Sequence, residues 1–303
     1  MSAPSPALQR LRLRTELRRA RTSAGLTQRQ VAEKMEWSSS KLIRIEAGEV
    51  GISVNDLRPL LAAYGVTDRR RIETLLDLAR GSRKMPFSEF RDIFGKEFQQ
   101  YLDFESSASL VRMFNSLQIP GILQTEEYMR TIIPAYNRAL SEETLERHVE
   151  ARLMRQELLV GDEGAEWFFI LDEAVIRRQV GGRGVMRKQL ERLSELAAQP
   201  RITMMILPFS AGAHAGMEGP FTHFEFETDE IADLAYMENP RGDSYTTNEP
   251  EETGRYLERF WELEDLVVKD DVPELLRRLT ERVETGSDDL VALLRPAEES
   301  PNE

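Results

Sequence analysis

The apolar positions between residues 26 and 46 repeat with a helical period that is interrupted once, and the pattern predicts two short helices joined by a tight turn. Thr27 stands before the first apolar run, and Gln30 follows three residues later. This spacing is that of a capping box, which satisfies the free N–H groups at a helix start. The apolar side chains that share one face of the first helix are Val31, Ala32 and Met35. We therefore expect this helix to pack through that face.

A second helix is predicted after the turn. Ser38 can cap its start, and Leu42 and Ile45, three positions apart, are expected to point inward against the first helix. Polar side chains then remain on the outer face, where the recognition helix of a helix-turn-helix presents them to DNA base edges. The residues predicted to contact DNA are Thr27, Gln28, Ser38, Ser39, Ser40, Lys41 and Arg44.

The alternative interpretation is an ordinary helical hairpin at the surface, which no single residue rules out. Against it stand the joint spacing of caps, small Ala32, turn and apolar pair, and the helical periodicity in residues 13–24 and 53–64. Arg44 also favours DNA, because an arginine can form a bidentate pair with guanine. The pattern therefore predicts an all-α N-terminal helix-turn-helix domain.

Positive charge is concentrated at the start of the chain. Residues 1–80 contain fifteen Lys or Arg against nine Asp or Glu, a net charge of +6. The whole chain carries −13, so residues 81–303 carry −19. Since attraction to phosphate scales with local positive charge, a polyanion ligand fits the first segment only. Six arginines supply much of this positive charge: Arg10, Arg12, Arg14, Arg18, Arg19 and Arg21. Their alternative role is only to form the solvated face of a helix.

The length of 303 residues allows about two domains. The change in charge predicts a DNA-binding domain at 1–80 and a second domain at 81–295, followed by a disordered acidic tail at 296–303. The chain contains no cysteine, which excludes disulfides and thiolate metal sites and is compatible with a reducing compartment. No run approaches the ~18 apolar residues of a membrane span, so we expect a cytoplasmic protein with no membrane association.

The second segment combines helical and strand patterns. Residues 85–160 have a helical pattern throughout. Four later stretches have strand character, at 167–171, 202–207, 221–227 and 232–237, and helical composition separates the first two. That separation predicts a parallel pair joined by a right-handed crossover. We expect an α+β domain with a small mixed sheet flanked by helices.

Two histidines of the second segment, His214 and His223, have acidic neighbours at Glu218 and Glu225. Such residues can supply metal ligands or an acid–base pair. Their spacing matches no compact metal motif, and the sequence contains no recognised nucleophile or cofactor motif. We therefore expect no metal, no cofactor and no enzymatic activity, with an enzyme targeted to DNA as the remaining alternative.

Four motifs occur in order along the second segment: IPGILQTEEY at 119–128, RLMRQELL at 152–159, LDEAVIRRQVGG at 171–182 and LPFSAGAHAG at 207–216. With the helix-turn-helix before them, they resemble the actinobacterial regulators of the xenobiotic-response-element type, including the Scr-type antitoxin-like proteins. The resemblance covers about residues 8–266. It implies a sequence-specific DNA-binding transcriptional regulator whose second domain binds something else.

The resemblance also implies roles within the helix-turn-helix. Gln28 matches a phosphate-contacting position, and Arg21 and Glu46 match a pair that clamps the first helix to the recognition helix. Two positions depart from the family. The turn has Glu36 where glycine is usual, which costs ~1 kcal/mol if the site is left-handed. Ile43 replaces a small polar residue, and it meets a thymine methyl or packs at a dimer contact.

A protein partner is the first expectation for the second domain. Members of the family are often encoded beside a short protein, and the −19 charge would attract a cationic one. The expected partner is therefore a small basic protein encoded nearby. Turn-rich segments with apolar residues predict the docking residues Ile122, Leu123, Tyr128 and Phe209.

The alternative is a regulator whose second domain holds a small molecule. The aromatic residues that would line its pocket, or only pack a core, are Trp167, Phe168, Phe209 and Phe221. In either case we expect a homodimer on a double-stranded DNA operator with two half-sites, because helix-turn-helix proteins commonly place two recognition helices ~34 Å apart.

Overall fold

The structure is a computed structural model, and it describes residues 6–46, 50–81, 87–160, 164–227, 232–238 and 244–285. The predicted tail at 296–303 lies outside them. Two compact units are present. One holds the described residues up to Ala108, with a short return segment that begins at Phe226, and the other holds Ser109–Glu225 and the described residues from Asp233 onwards. The segment 87–108, on the far side of the predicted boundary at 80, thus groups with the helix-turn-helix.

The first unit is helical. Both predicted helices of the helix-turn-helix are present, and Val31, Ala32, Leu42 and Ile45 are buried as expected. Val31, Leu42 and Ile45 join an apolar core with side chains of the flanking helices, which packs the two helices against the rest of the unit. The helices are α1 (Pro6–Ser23), α2 (Gln28–Lys34), α3 (Ser39–Glu46), α4 (Val54–Ala63), α5 (Arg69–Gly81) and α6 (Lys96–Glu105).

The second unit is built on one six-stranded mixed sheet with the strand order β3-β2-β1-β4-β5-β6. The β3-β2-β1 part is parallel, as predicted for β2 and β3, and the remaining neighbours are antiparallel. The predicted α+β class with a mixed sheet is therefore confirmed. The strands are β1 (Leu110–Asn115), β2 (Glu166–Asp172), β3 (Ile202–Leu207), β4 (Phe221–Glu225), β5 (Leu234–Glu238) and β6 (Ser244–Thr247).

The prediction of continuous helix across residues 85–160 is wrong at β1. This strand is central, pairing with β2 on one side and β4 on the other. Its six residues contain Arg112, which interrupts the apolar run that would have indicated a buried strand. Hydrogen bonds to two strands more than 50 residues away in the chain hold it in place. Strand β6, at the far edge of the sheet, was not predicted either.

Helices flank the sheet, and α11 (Pro250–Glu264) packs against one of its faces. Phe260 and Leu263 of the helix α11 pack on Phe114, Ile170 and Phe221 of the sheet. Among the described residues, no helix is long and apolar enough to cross a membrane. The helices of this unit are α7 (Glu126–Tyr136), α8 (Glu142–Gln156), α9 (Glu173–Arg177), α10 (Gly182–Ala197), α11 (Pro250–Glu264) and α12 (Val272–Thr285).

Candidate nucleic-acid interface

The start of α2 is fixed by the capping box that the sequence predicts. The Thr27 side chain accepts the Gln30 N–H at 3.3 Å, and Gln30 Oε1 accepts the Thr27 N–H at 2.9 Å. Thr27 is exposed and lies at the helix N-terminus, where free N–H groups and the helix dipole favour a phosphate. The capping residue is therefore at a position that suits a contact with the DNA backbone.

The turn between α2 and α3 is left-handed at Glu36, which has φ 55°. Such a conformation costs a residue with a Cβ about 1 kcal/mol relative to glycine. The next residue closes the turn, because the Trp37 N–H donates to the Ala32 carbonyl at 2.9 Å. The helix-turn-helix geometry is thus kept without the usual glycine, at the cost of backbone strain.

Helix α3 presents polar, exposed side chains along one side, from its N-terminus to its last turn. Ser38 caps it by accepting the Lys41 N–H at 3.2 Å, as predicted. Ser39, Ser40 and Arg44 are exposed, while the apolar side of the helix is buried. The side chains that the sequence predicts for base readout therefore share the solvent side of α3.

Lys41 is held by two neighbours that the sequence analysis did not identify. Its Nζ lies 3.9 Å from the centre of the Trp37 ring and 3.3 Å from Asp56 Oδ2 at the start of α4. A cation over an indole ring is attracted by the electrons of the ring face. Both contacts are at the surface, so Lys41 can exchange Asp56 for a DNA phosphate at small cost.

The carboxylate of Glu46 at the end of α3 joins three elements. It accepts hydrogen bonds from Arg21 Nε at 2.8 Å, Gln28 Nε2 at 2.9 Å and the Tyr64 hydroxyl at 3.1 Å. The hydrogen bond to Glu46 raises the pKa of Arg21, and burial, followed by the Glu46 charge, raises the pKa of Tyr64. The Arg21–Glu46 pair implied by the resemblance is therefore present. Tyr64 was not predicted.

Gln28 is placed differently from what the resemblance implies. Its side-chain amide donates to Glu46 and is half-buried. The side chain therefore stabilises the contact between α2 and α3 in the free protein. A contact with phosphate at this position would have to come from its backbone N–H or from a rearranged side chain.

The basic first helix is partly structural. Arg10 forms a buried ion pair with Asp103 of α6 at 2.5 Å, and Arg21 binds Glu46. Arg14 lies over the Phe104 ring, and burial, followed by the charge of nearby Arg18, lowers its pKa to about 10. Three of the six arginines thus serve packing, which reduces the charge available to DNA from this helix.

The residues predicted to form a docking groove on the second unit are mostly interior. Ile122, Leu123 and Tyr128 have 0% exposed surface, whereas Phe209 is 55% exposed. The first two lie in a short 3₁₀ turn, and Tyr128 points inward from α7. Their apolar side chains complete the core, so this structure forms no groove from them, and only Phe209 is available to a partner.

The two histidines that the sequence singles out are in separate places. His214 Nε2 lies 4.0 Å from Asp172, and Glu218 pairs instead with Arg259 at 2.7 Å. His223 faces Glu225 and a residue that the sequence analysis did not consider, Asp233. The first pair of candidates therefore does not form one site, and the second pair gains a third member.

Comparison with known families agrees with this architecture. The sequence profile of a helix-turn-helix domain matches residues 12–75. The profile of a domain of unknown function, DUF5753, matches residues 98–271, which is more than half of the chain. No curated protein and no solved structure matches the chain.

Proposed function

Because the chain belongs to the DUF5753 family and carries a helix-turn-helix DNA-binding domain before the family's own domain, we propose that it is a sequence-specific transcriptional regulator. The solvent side of α3 carries this proposal. Ser39 and Ser40 are exposed there at the N-terminal end of the helix and Arg44 in its last turn, while the apolar side of the helix packs into the core. In this arrangement Arg44 reads guanine, Ser39 and Ser40 contact bases or phosphate, and Lys41 binds the DNA backbone.

The experiment is selection of an operator from random duplexes with the full chain, followed by binding measurements on operator variants. Arg44→Ala should cost about 1–3 kcal/mol and relax the preference at one base position. Arg70→Ala, an exposed arginine on α5 outside the helix-turn-helix, serves as the matched control. Equal weakening on all duplexes would make Arg44 a phosphate contact, and no selected sequence would contradict sequence-specific binding.

We infer a homodimer from the reach of one recognition helix, which reads only a few base pairs. Ile43 is 46% exposed on α3, and it is available either to a thymine methyl or to the second copy. Footprinting should show a near-palindrome with half-site centres about one DNA turn, ~34 Å, apart. A footprint that covers a single half-site would contradict this arrangement.

For the second unit we propose an antitoxin-like role, in which it binds a small basic protein encoded nearby and performs no catalysis. The support is chemical. Residues 109–225 and 233–303, which make up this unit, carry a net charge of −15, which steers a cationic partner and repels DNA. Of the eleven large apolar side chains exposed among the described residues, ten lie in this unit, Phe209 included. Exposed apolar residues in an acidic surround suit a protein interface.

Co-expression with the neighbouring small protein, followed by size-exclusion chromatography and DNA-binding measurements, tests this role. We expect a complex whose affinity for the operator differs from that of the regulator alone, because a partner changes DNA binding only by preferring one state of the dimer. Phe209→Ser should weaken the complex, and Gln199→Ser, a change at an exposed polar residue of the same unit, is the control and should leave it unchanged. No complex and unchanged DNA affinity would instead favour the small-molecule regulator.

A further inference from the structure

His223 is a buried polar residue whose ring makes no hydrogen bond within the described residues. It lies on β4 opposite Arg112 of β1 and has 0% exposed surface. Neither ring nitrogen has a hydrogen-bond partner among the described residues. A neutral imidazole has one donor and one acceptor, and leaving both unpaired in the interior is unfavourable because each loses its hydrogen bond to water. A buried polar group without a hydrogen-bond partner needs an explanation, and a bound ligand that pairs with the ring nitrogen supplies one.

Two carboxylates lie close to this imidazole, one near each ring nitrogen, and a single metal ion would take one of the two nitrogens. Nδ1 lies 3.9 Å from Glu225 Oε1, and Nε2 lies 3.8 Å from Asp233 Oδ2. Both separations are too long for a hydrogen bond. One ligand atom from each of the three residues fits within 4.8 Å of the others. Glu225 is two residues after His223 on β4, so both side chains point to the same face of the sheet, and Asp233 comes just before β5.

We propose that His223, Glu225 and Asp233 bind a divalent first-row transition metal ion of the zinc class. Two ligands at 2.0–2.2 Å from a tetrahedral Zn²⁺ are about 3.4 Å apart. The three ligand atoms lie within 4.8 Å of one another, so the carboxylate side chains have to move inward by up to about 1.4 Å to bind one ion. A nitrogen with two carboxylates matches the preference of such ions, and the three ligands leave a fourth position open. This site goes beyond the regulatory function proposed above.

Two shifted pKa values accompany this geometry. Burial and the nearby Arg112 charge lower the pKa of His223 to about 4, so the imidazole is neutral, as a metal ligand must be. Burial, and then the Glu225 charge, raise the pKa of Asp233, which reflects two carboxylates that repel each other. A divalent ion would relieve this repulsion.

Arg112 donates a hydrogen bond to Glu225, so a metal ion bound by Glu225 would lie beside the positive charge of this guanidinium. Oε1, the Glu225 oxygen nearest His223 Nδ1, is also the oxygen that Arg112 holds. The ion therefore shares Oε1 with the guanidinium or binds Oε2 after the carboxylate of Glu225, which is 30% exposed, has rotated. A guanidinium that is hydrogen-bonded to a ligating carboxylate orients the carboxylate. The same positive charge weakens affinity, which favours a reversibly bound ion over a permanent one.

The test is Co²⁺ binding by the full chain after tag removal and treatment with a chelator. With no cysteine and three histidines, the chain has few competing ligands. Absorption bands of protein-bound Co²⁺ and calorimetric titration with Zn²⁺ should both show one ion per chain. Asp233→Asn, a change at a partly exposed position, and His223→Gln should each weaken binding at least about 100-fold. His214→Gln, at a histidine whose Nε2 lies 4.0 Å from Asp172, is the matched control and should bind as the unmodified protein does.

Absence of Co²⁺ and Zn²⁺ binding by the unmodified chain would overturn the proposal, as would undiminished binding by Asp233→Asn. Equal loss in His214→Gln would place the ion elsewhere. Circular dichroism of each variant separates lost binding from lost fold. Operator binding by the metal-free chain is measured in parallel, so failure of the metal site is distinguished from failure of the DNA-binding function.

Discussion

The two units treat their interior polar groups in opposite ways. In the helical unit the buried Glu46 carboxylate accepts three hydrogen bonds, from Arg21, Gln28 and Tyr64. In the sheet unit His223 is equally buried, and both of its ring nitrogens lack a partner among the described residues. A satisfied network fixes one geometry, whereas an unsatisfied group leaves a place for a ligand.

The same contrast extends to the surface. Among the described residues the helical unit exposes one large apolar side chain, Ile43, and otherwise presents polar and charged groups. The sheet unit exposes ten of them on a chain segment of opposite net charge. A preorganised interior suits a domain that must hold one recognition helix in a fixed position. The exposed apolar side chains of the second unit are the basis of the partner-binding role proposed for it.

The strongest test of this contrast is removal of the Glu46 carboxylate. Glu46→Ala should lower the free energy of unfolding of the helical unit by about 3–5 kcal/mol, because Arg21 is left without its counter-ion at a partly buried site. The matched control is Glu73→Ala, which breaks an exposed pair with Arg58 worth about 0–1 kcal/mol. Denaturant unfolding of the full chain measures both, and equal small losses would refute the clamp.

Substitution of His223 should change stability in the opposite direction to substitution of Glu46. His223→Leu replaces a ring with two unpaired nitrogens by an apolar side chain of similar size. The free energy of unfolding of the metal-free protein should therefore stay unchanged or rise by about 1–3 kcal/mol. The measurement is denaturant unfolding of the metal-free protein in a chelator. A loss of several kcal/mol would mean that the imidazole already has a partner in the fold, and the contrast with Glu46 would disappear.

Glu36 tests whether the helical unit carries strain at its turn. Glu36→Gly should raise the free energy of unfolding by up to about 1 kcal/mol, because glycine adopts the left-handed conformation without a Cβ clash. Glu33→Gly in α2 is the control and should lower it by about 1 kcal/mol, since glycine is unfavourable within a helix. If Glu36→Gly lowered the free energy of unfolding as Glu33→Gly does, the turn would not be strained.

The smallest expected effect concerns the surface charge beside the recognition helix. Asp56→Asn releases Lys41 from its partner at 3.3 Å, and this exposed contact should be worth under about 1 kcal/mol of stability. Affinity for the operator should rise slightly, because Lys41 no longer has to leave a carboxylate and a repelling charge is gone. Binding measured across salt concentrations checks this, and weaker binding would indicate that Asp56 orients Lys41 for contact.

The sequence by itself determined the helix-turn-helix, because its signals are local. The Thr27 capping box, the Ser38 cap and the apolar pair Leu42 and Ile45 act within a few residues, and each is present as predicted. The Arg21–Glu46 pair came from resemblance and is also present. Local spacing sufficed here, since helix caps and helix faces depend on neighbours three or four positions away.

Tertiary structure decided what depends on distant parts of the chain. Strand β1 exists because β2 and β4 pair with it, which its own six residues do not indicate. The apolar residues Ile122, Leu123 and Tyr128 could belong to a groove or to a core, and only packing put them inside. Asp233 joins His223 because β5 pairs with β4, and a pattern read within one strand does not show which side chain faces it across the sheet.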